Sequence, residues 1–166
     1  TKLVAVEGGL SVDYDHWVSS TLLDMSKAQI LMRVHFKTVD SRFFTTKYFG
    51  GKSGHRPQTT HDQVKEFSNM VMGRVKAAIS SESNSEELAQ VFVPEIEAGF
   101  DKFETATSSE ESTVQEKSWE LVLDEDRALL IFAKVKGDVA FTQELIDRLT
   151  SNVGVAVDDE GDIDFF

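Results

Sequence analysis

Apolar and polar residues alternate cleanly from residue 30 to residue 37. Met32, Val34 and Phe36 fall on one side, and Arg33, His35 and Lys37 on the other. That period of two predicts a half-buried strand. Asp40-Ser41 then gives a turn signal, and residues 42–49 are rich in Phe, Tyr and Thr, so the two runs are expected to form a hairpin. A second hairpin is expected from the β-rich runs 118–123 and 128–136, joined by Asp124-Glu125-Asp126-Arg127. Residues 91–93 are strand-like, and Pro94 marks an edge or a bulge before the strand resumes through Ile96 toward Phe100. Trp17, Val18, Thr21, Leu22 and Met25 have helical spacing, which predicts a first helix within 11–28. Thr142 is placed to cap a helix to about residue 150, with Leu145, Ile146 and Leu149 inward, and 153–157 has the composition of a last short strand. The expected architecture is a single α/β (α+β) domain over 1–166. It has a mostly antiparallel sheet of about six strands packed with about three helices. No internal repeat breaks the chain, and the polar stretch 105–113 is too short to demand a domain boundary.

The remaining helix has two unlike faces. Thr60 followed by Gln63 has capping-box spacing, so the helix is expected to start near His61 and run to about Ile79. On a wheel turning about 100° per residue, Val64, Phe67, Val71, Val75 and Ala78 form one apolar stripe. Asp62, Glu66, Asn69 and Gly73 stack on the opposite side. A solvated face normally carries Lys, Glu, Ala or Arg. Gly in a helix interior costs about 1 kcal/mol relative to Ala. A partner that approaches the backbone at Gly73 and meets Glu66 and Asn69 would account for that sacrifice. The alternative is an ordinary hydrophilic outer face.

Composition narrows the chemistry. The chain has 166 residues, 40% hydrophobic and 28% charged, which is a globular and not a disordered balance. Its net charge of −12 would repel nucleic-acid backbones and anionic membranes, so neither is an expected partner. No apolar run is long enough to span a bilayer, and no charged segment followed by an apolar stretch opens the chain as a secretory signal would. Cysteine is absent, which removes disulfides, thiolate metal sites and a cysteine nucleophile. These features together lead to the expectation of a cytoplasmic protein.

Several familiar chemistries fall away. Gly51-Lys52-Ser53 lies between a strand and a helix, but a phosphate-binding loop needs a glycine where Thr46 stands. The acidic stretch 158–162 has its carboxylates out of phase with Gly161 for a calcium loop. There is no G-x-S-x-G elbow. His16, His35, His55 and His61 are scattered; only His55 and His61, flanking the helix start, are candidates to meet at a metal.

The helix itself resembles the signature of the CheC/CheX/FliY chemotaxis phosphatase family. That pattern is Asp or Ser, then Glu, then Asn, and a downstream proline. Asp62, Glu66 and Asn69 match in register; Met70 and Gly73 match the residues that follow, and Pro94 supplies the proline. Pro94-Glu95-Ile96-Glu97-Ala98-Gly99 is also similar to the family's Pro-x-Val-Val-x-Gly strand. The resemblance covers residues 62–99 explicitly and is architectural elsewhere.

The resemblance implies a phosphatase acting on the aspartyl phosphate of a CheY-type response regulator, in bacterial chemotaxis or two-component signalling. Asn69 would hold a water in line with phosphorus, and Glu66 would pair with the regulator's phosphate-binding lysine. Asp62 and Met70 would support binding, and Gly73 would allow close approach. No cofactor of its own is expected, because the Mg²⁺ belongs to the partner. A homodimer joined through sheet edges is likewise implied by the CheX likeness. The chain departs from the pattern in three respects, one of them a lengthened stretch at 80–87 and a long loop at 105–113. CheX-like chains place a further helix between an early hairpin and the motif helix, whereas 49–59 leaves room only for a loop. CheC-like chains often carry two motifs, and this chain has one. The alternatives are a non-catalytic binding or scaffold module of the same fold, and an unrelated acidic structural domain.

Overall fold

The computed structural model describes residues 2–6, 16–50, 57–82, 89–99, 113–138, 140 and 142–143. Its elements run in the order β1 (Lys2–Val6), β2 (His16–Asp24), β3 (Ala28–Lys37), α1 (Thr38–Tyr48), α2 (Pro57–Glu82), β4 (Gln90–Val91), β5 (Glu95–Gly99), β6 (Thr113–Asp124) and β7 (Arg127–Gly137). The seven strands form one antiparallel sheet in the order β1-β6-β7-β3-β2-β4, and β5 pairs with β2 beside β4.

The β2–β3 register sets which side chains face the helices. Trp17 pairs with Phe36, Ser19 with Val34, Thr21 with Met32 and Leu23 with Ile30. Successive residues of a strand point to opposite faces, so these eight share one face. Both helices cover it: α2 crosses β2 and β3, and α1 lies over β3 and β7. The core between the layers includes Leu23, Ile30, Met32, Val34, Phe36, Phe44, Val64, Phe67, Met72, Leu121 and Leu129. Each such side chain contributes roughly 1.5–3 kcal/mol by leaving water. Phe44 and Phe67 meet edge to face at 5.3 Å and join the two helices. Lys47 donates to the Leu123 carbonyl at 2.8 Å, and Arg127 stacks 4.6 Å from the Phe43 ring, so α1 is tied to the β6–β7 hairpin.

Both hairpin expectations can now be weighed. β6 and β7 turn at Glu125-Asp126, where Asp124 accepts from the Asp126 N–H at 3.1 Å and pairs with Arg127 at 2.7 Å. The other hairpin exists with different partners. Residues 16–24, where the spacing predicts helix, are strand β2, and residues 38–48, where the composition of 42–49 predicts strand, are helix α1. The two corrections have one cause. The inner positions of β2 include Ser19 and Thr21, and those of α1 are Asp40, Ser41, Phe44 and Thr45, so polar residues fill buried sites and mask the hydrophobic period. The helix thought to be missing before the motif helix is therefore α1. The motif helix also begins earlier than His61. Pro57 opens it, as a residue without an N–H can at a helix start, and Thr60 lies inside the first turn, donating to the Pro57 carbonyl at 2.8 Å.

The expected strand near Pro94 is two pieces at the sheet edge. Val91 pairs with Leu23, Glu95 pairs with Ser20, and residues 92–94 form a break between them. Pro94 is buried in that break and has no N–H to give the ladder. Strand β1 was not anticipated and makes the count seven. Two helices occur among the described residues; of the third expected helix only Thr142 and Gln143 are described. Residues 105–112 of the expected loop, the strand at 153–157, the acidic tail and Phe165-Phe166 lie outside the described residues, and Thr113, expected in that loop, is the first residue of β6. Among the described residues no helix is long and apolar enough to cross a membrane.

Candidate functional site

Helix α2 presents the two faces its sequence predicts. Thr60, Val64, Phe67, Ser68, Met72 and Ile79 are buried. Val71, Val75 and Ala78 are half-buried, so the most deeply packed line is turned from the expected apolar stripe toward Ser68 and Met72. Asp62, Glu66, Asn69 and Gly73 are all exposed, and Met70 is half-buried at the side of that stripe. Among the described residues no hydrogen bond or ion pair engages Glu66 or Asn69. A carboxylate and a carboxamide three residues apart on one helix project to the same side. The carboxamide both donates and accepts, and the carboxylate accepts only.

Gly73 continues this stripe one turn beyond Asn69. A Cβ built there meets nothing within 4 Å. Nothing in the described packing requires a glycine, and the helix gives up about 1 kcal/mol by having one. The bare backbone at Gly73 is a feature of the outer surface, beside the two functional groups.

The helix is seated by hydroxyl groups as well as by hydrocarbon. Ser68 donates to the Val64 carbonyl at 3.0 Å, and its oxygen lies 3.0 Å from Ser19 Oγ on β2. Either hydroxyl can donate in that pair. Near the start of the helix, Ser41 of α1 donates to Thr60 Oγ1 at 3.2 Å, sharing its proton with the Thr38 carbonyl at 3.0 Å. Ser19, Ser41, Thr60 and Ser68 are fully buried. The sequence reading missed all four. The available signal was the presence of hydroxyl residues at inward positions of the helical wheel, Thr60 and Ser68.

His61 turns away from the exposed stripe. Its ring lies 4.6 Å from Trp17 and 5.5 Å from Phe36. Burial lowers its pKa below the ordinary histidine value, with Asp62 acting in the opposite direction and Lys65 lowering it further. His55, the proposed metal partner of His61, lies outside the described residues. No group of three or more His, Asp or Glu side chains among the described residues is arranged to hold a metal. On the face of the sheet opposite α1 and α2, His16 and His35 approach to 5.5 Å. Burial, then His16 and Arg33, push the His35 pKa down to about 4.

No protein-family model matches the sequence, and no curated protein matches it. Among solved structures the fold is similar to that of a CheC-like superfamily protein from Shewanella sp. PV-4, with a TM-score of 0.59 and 16% identity over 82% of each chain. It is also similar to the chemotaxis protein CheX from Vibrio vulnificus, with a TM-score of 0.56 and 13% identity over 80% of this chain and 85% of that one. A chemotactic CheC-like protein from Shewanella oneidensis MR-1 gives a TM-score of 0.55 and 13% identity over 80% and 84%. At such identities the likeness is one of fold.

Proposed function

Starting from the CheC/CheX-like fold of this chain, we propose that it serves a chemotaxis or two-component pathway as a phosphatase of a CheY-type response regulator. The single observation that carries the reading is the exposed stripe Asp62, Glu66, Asn69 and Gly73, in which the glycine serves no described contact of this chain. A docked protein gives that glycine a purpose, because its backbone can come closer to α2 there than to any alanine.

The chemistry asked of the stripe is modest. Hydrolysis of an aspartyl phosphate forms a bond from water oxygen to phosphorus and breaks the bond from phosphorus to the aspartyl oxygen. Such transfers depend on placement and charge balance more than on covalent help. The regulator's own Mg²⁺ supplies most of the charge neutralisation. Asn69 orients the water by donating and accepting at once, as the water-positioning glutamine of GTPases does. Glu66 accepts from the regulator's phosphate-binding lysine and fixes the approach. Asp62 adds negative charge on the same side, and Met70 supplies apolar contact at the margin.

Phosphate release from the host's Mg²⁺-loaded, phosphorylated response regulators tests this. Wild-type protein is expected to shorten the phosphate lifetime of at least one regulator. Binding with an unchanged lifetime would establish the scaffold reading instead, and an absence of binding would remove both.

A further inference from the structure

Four fully buried hydroxyls around one helix call for an explanation that stability does not supply. Ser19 and Ser68 join α2 to the sheet, and Ser41 and Thr60 join α2 to α1. Replacing both members of a buried hydrogen-bonded pair by apolar groups of similar shape is often nearly neutral for stability. Aliphatic contacts such as those of Val64 and Met72 hold the layers together with little directional preference of their own, because dispersion has no direction. A hydroxyl pair has one good distance and one good angle. Buried polar pairs can in this way select one register among several of similar energy.

The placement of the pairs fits that role. Thr60 and Ser68 are two turns apart on α2, and both lie on its inner side. Between them or directly after them come Asp62, Glu66 and Asn69. Two contacts at separate heights, one to the sheet and one to the neighbouring helix, fix both the rotation of α2 about its axis and its travel along it. Asn69 follows Ser68 directly, so an error in the seat of Ser68 becomes an error in the aim of Asn69.

We infer that the buried pairs Ser19–Ser68 and Ser41–Thr60 are positioning residues that set the rotation and height of α2 and thereby aim Glu66 and Asn69 at the partner. The activity part of this inference rests on the phosphatase reading; the geometric part does not.

The absence of cysteine makes the geometric part measurable, since spin labels attach only where cysteine is introduced. Labels at Ala77→Cys on α2 and Lys117→Cys on β6 report the seat of the helix as a distance distribution. With Ser19→Ala and Ser68→Ala combined, the protein is expected to melt close to wild type, whereas Ser68→Ala alone, which strands the Ser19 hydroxyl, melts lower. The combined variant should widen the label distribution by about twofold while the fold persists. At saturating regulator, turnover should fall by about tenfold or more with KM little changed, because small misplacements are felt in the reacting geometry. A wild-type distribution in the combined variant would overturn the inference. Loss of the fold in that variant would do so too, by showing the pair to be a stability element. A wild type that releases no phosphate would remove the phosphatase reading alone and leave the label distances to decide the pins.

Discussion

Gly137 and Ala28 face each other across β7 and β3 so closely that a Cβ on Gly137 would lie 2.7 Å from the Ala28 methyl and 2.5 Å from the Lys27 carbonyl oxygen. Both distances are well inside contact range. The Lys27 carbonyl is also held in place, because it accepts from the Asp138 N–H at 3.0 Å. The strain of Gly137→Ala therefore falls on backbone that cannot yield cheaply. The substitution is expected to destabilise the protein by about 1–3 kcal/mol, as overpacking does. A lower urea midpoint with an unchanged slope is the measurement that checks it.

Gly73→Ala should act in the opposite sense on stability. The added methyl meets open space and improves helix propensity, so unfolding free energy should rise by up to about 1 kcal/mol. Regulator binding should nonetheless weaken, because the methyl stands on the proposed docking face. Paired thermal melts and binding isotherms check the two halves. A stabilised variant that binds as wild type would show that no partner touches α2 at Gly73.

Asn69→Ala removes an exposed side chain with no partner among the described residues, and stability should stay within about 0.5 kcal/mol of wild type. Accelerated dephosphorylation should vanish while regulator binding survives. Glu66→Ala should chiefly weaken binding if, as proposed, it meets the partner's lysine. Single-turnover phosphate release across a regulator titration separates the two effects.

Stability should fall on acidification through a particular histidine. The folded pKa of His35 lies at about 4, below its ordinary 6.5. Between those values the unfolded chain binds a proton that the folded chain does not, so stability rises with pH across the window. The contribution is complete above pH 6.5 and is lost as pH falls toward 4, by an amount on the order of 3 kcal/mol. His35→Phe should flatten the dependence of the urea midpoint between pH 4 and 7. A wild-type midpoint that does not move over that range would assign the imidazole a different setting.

Legibility from sequence followed the chemistry of the inward positions. Strand β3 was plain because Met32, Val34 and Phe36 are apolar and buried while Arg33 and Lys37 are not. The β6–β7 hairpin was plain because Asp124 to Arg127 carry turn chemistry that the backbone uses. Strand β2 and helix α1 were misassigned where Ser19, Thr21, Ser41 and Thr45 occupy buried sites and erase the apolar rhythm. Ser19 finds its partner on α2, and Ser41 reaches Thr60 across the fold as well as the nearby Thr38 carbonyl; no local pattern announces the two cross-fold pairs. The outer stripe of α2 was readable because Asn and Gly are poor choices for a solvated helix unless the surface has another use. Its seating was not, because Thr60 and Ser68 stand at inward wheel positions without the apolar character that marks a core site.

Glu66 and Asn69 ride near the middle of a 26-residue helix and not on a loop. A visiting protein therefore meets a relief that is already cut. Little freedom remains to be surrendered on this side at the moment of contact, so whatever reshaping the encounter demands must come from the visitor.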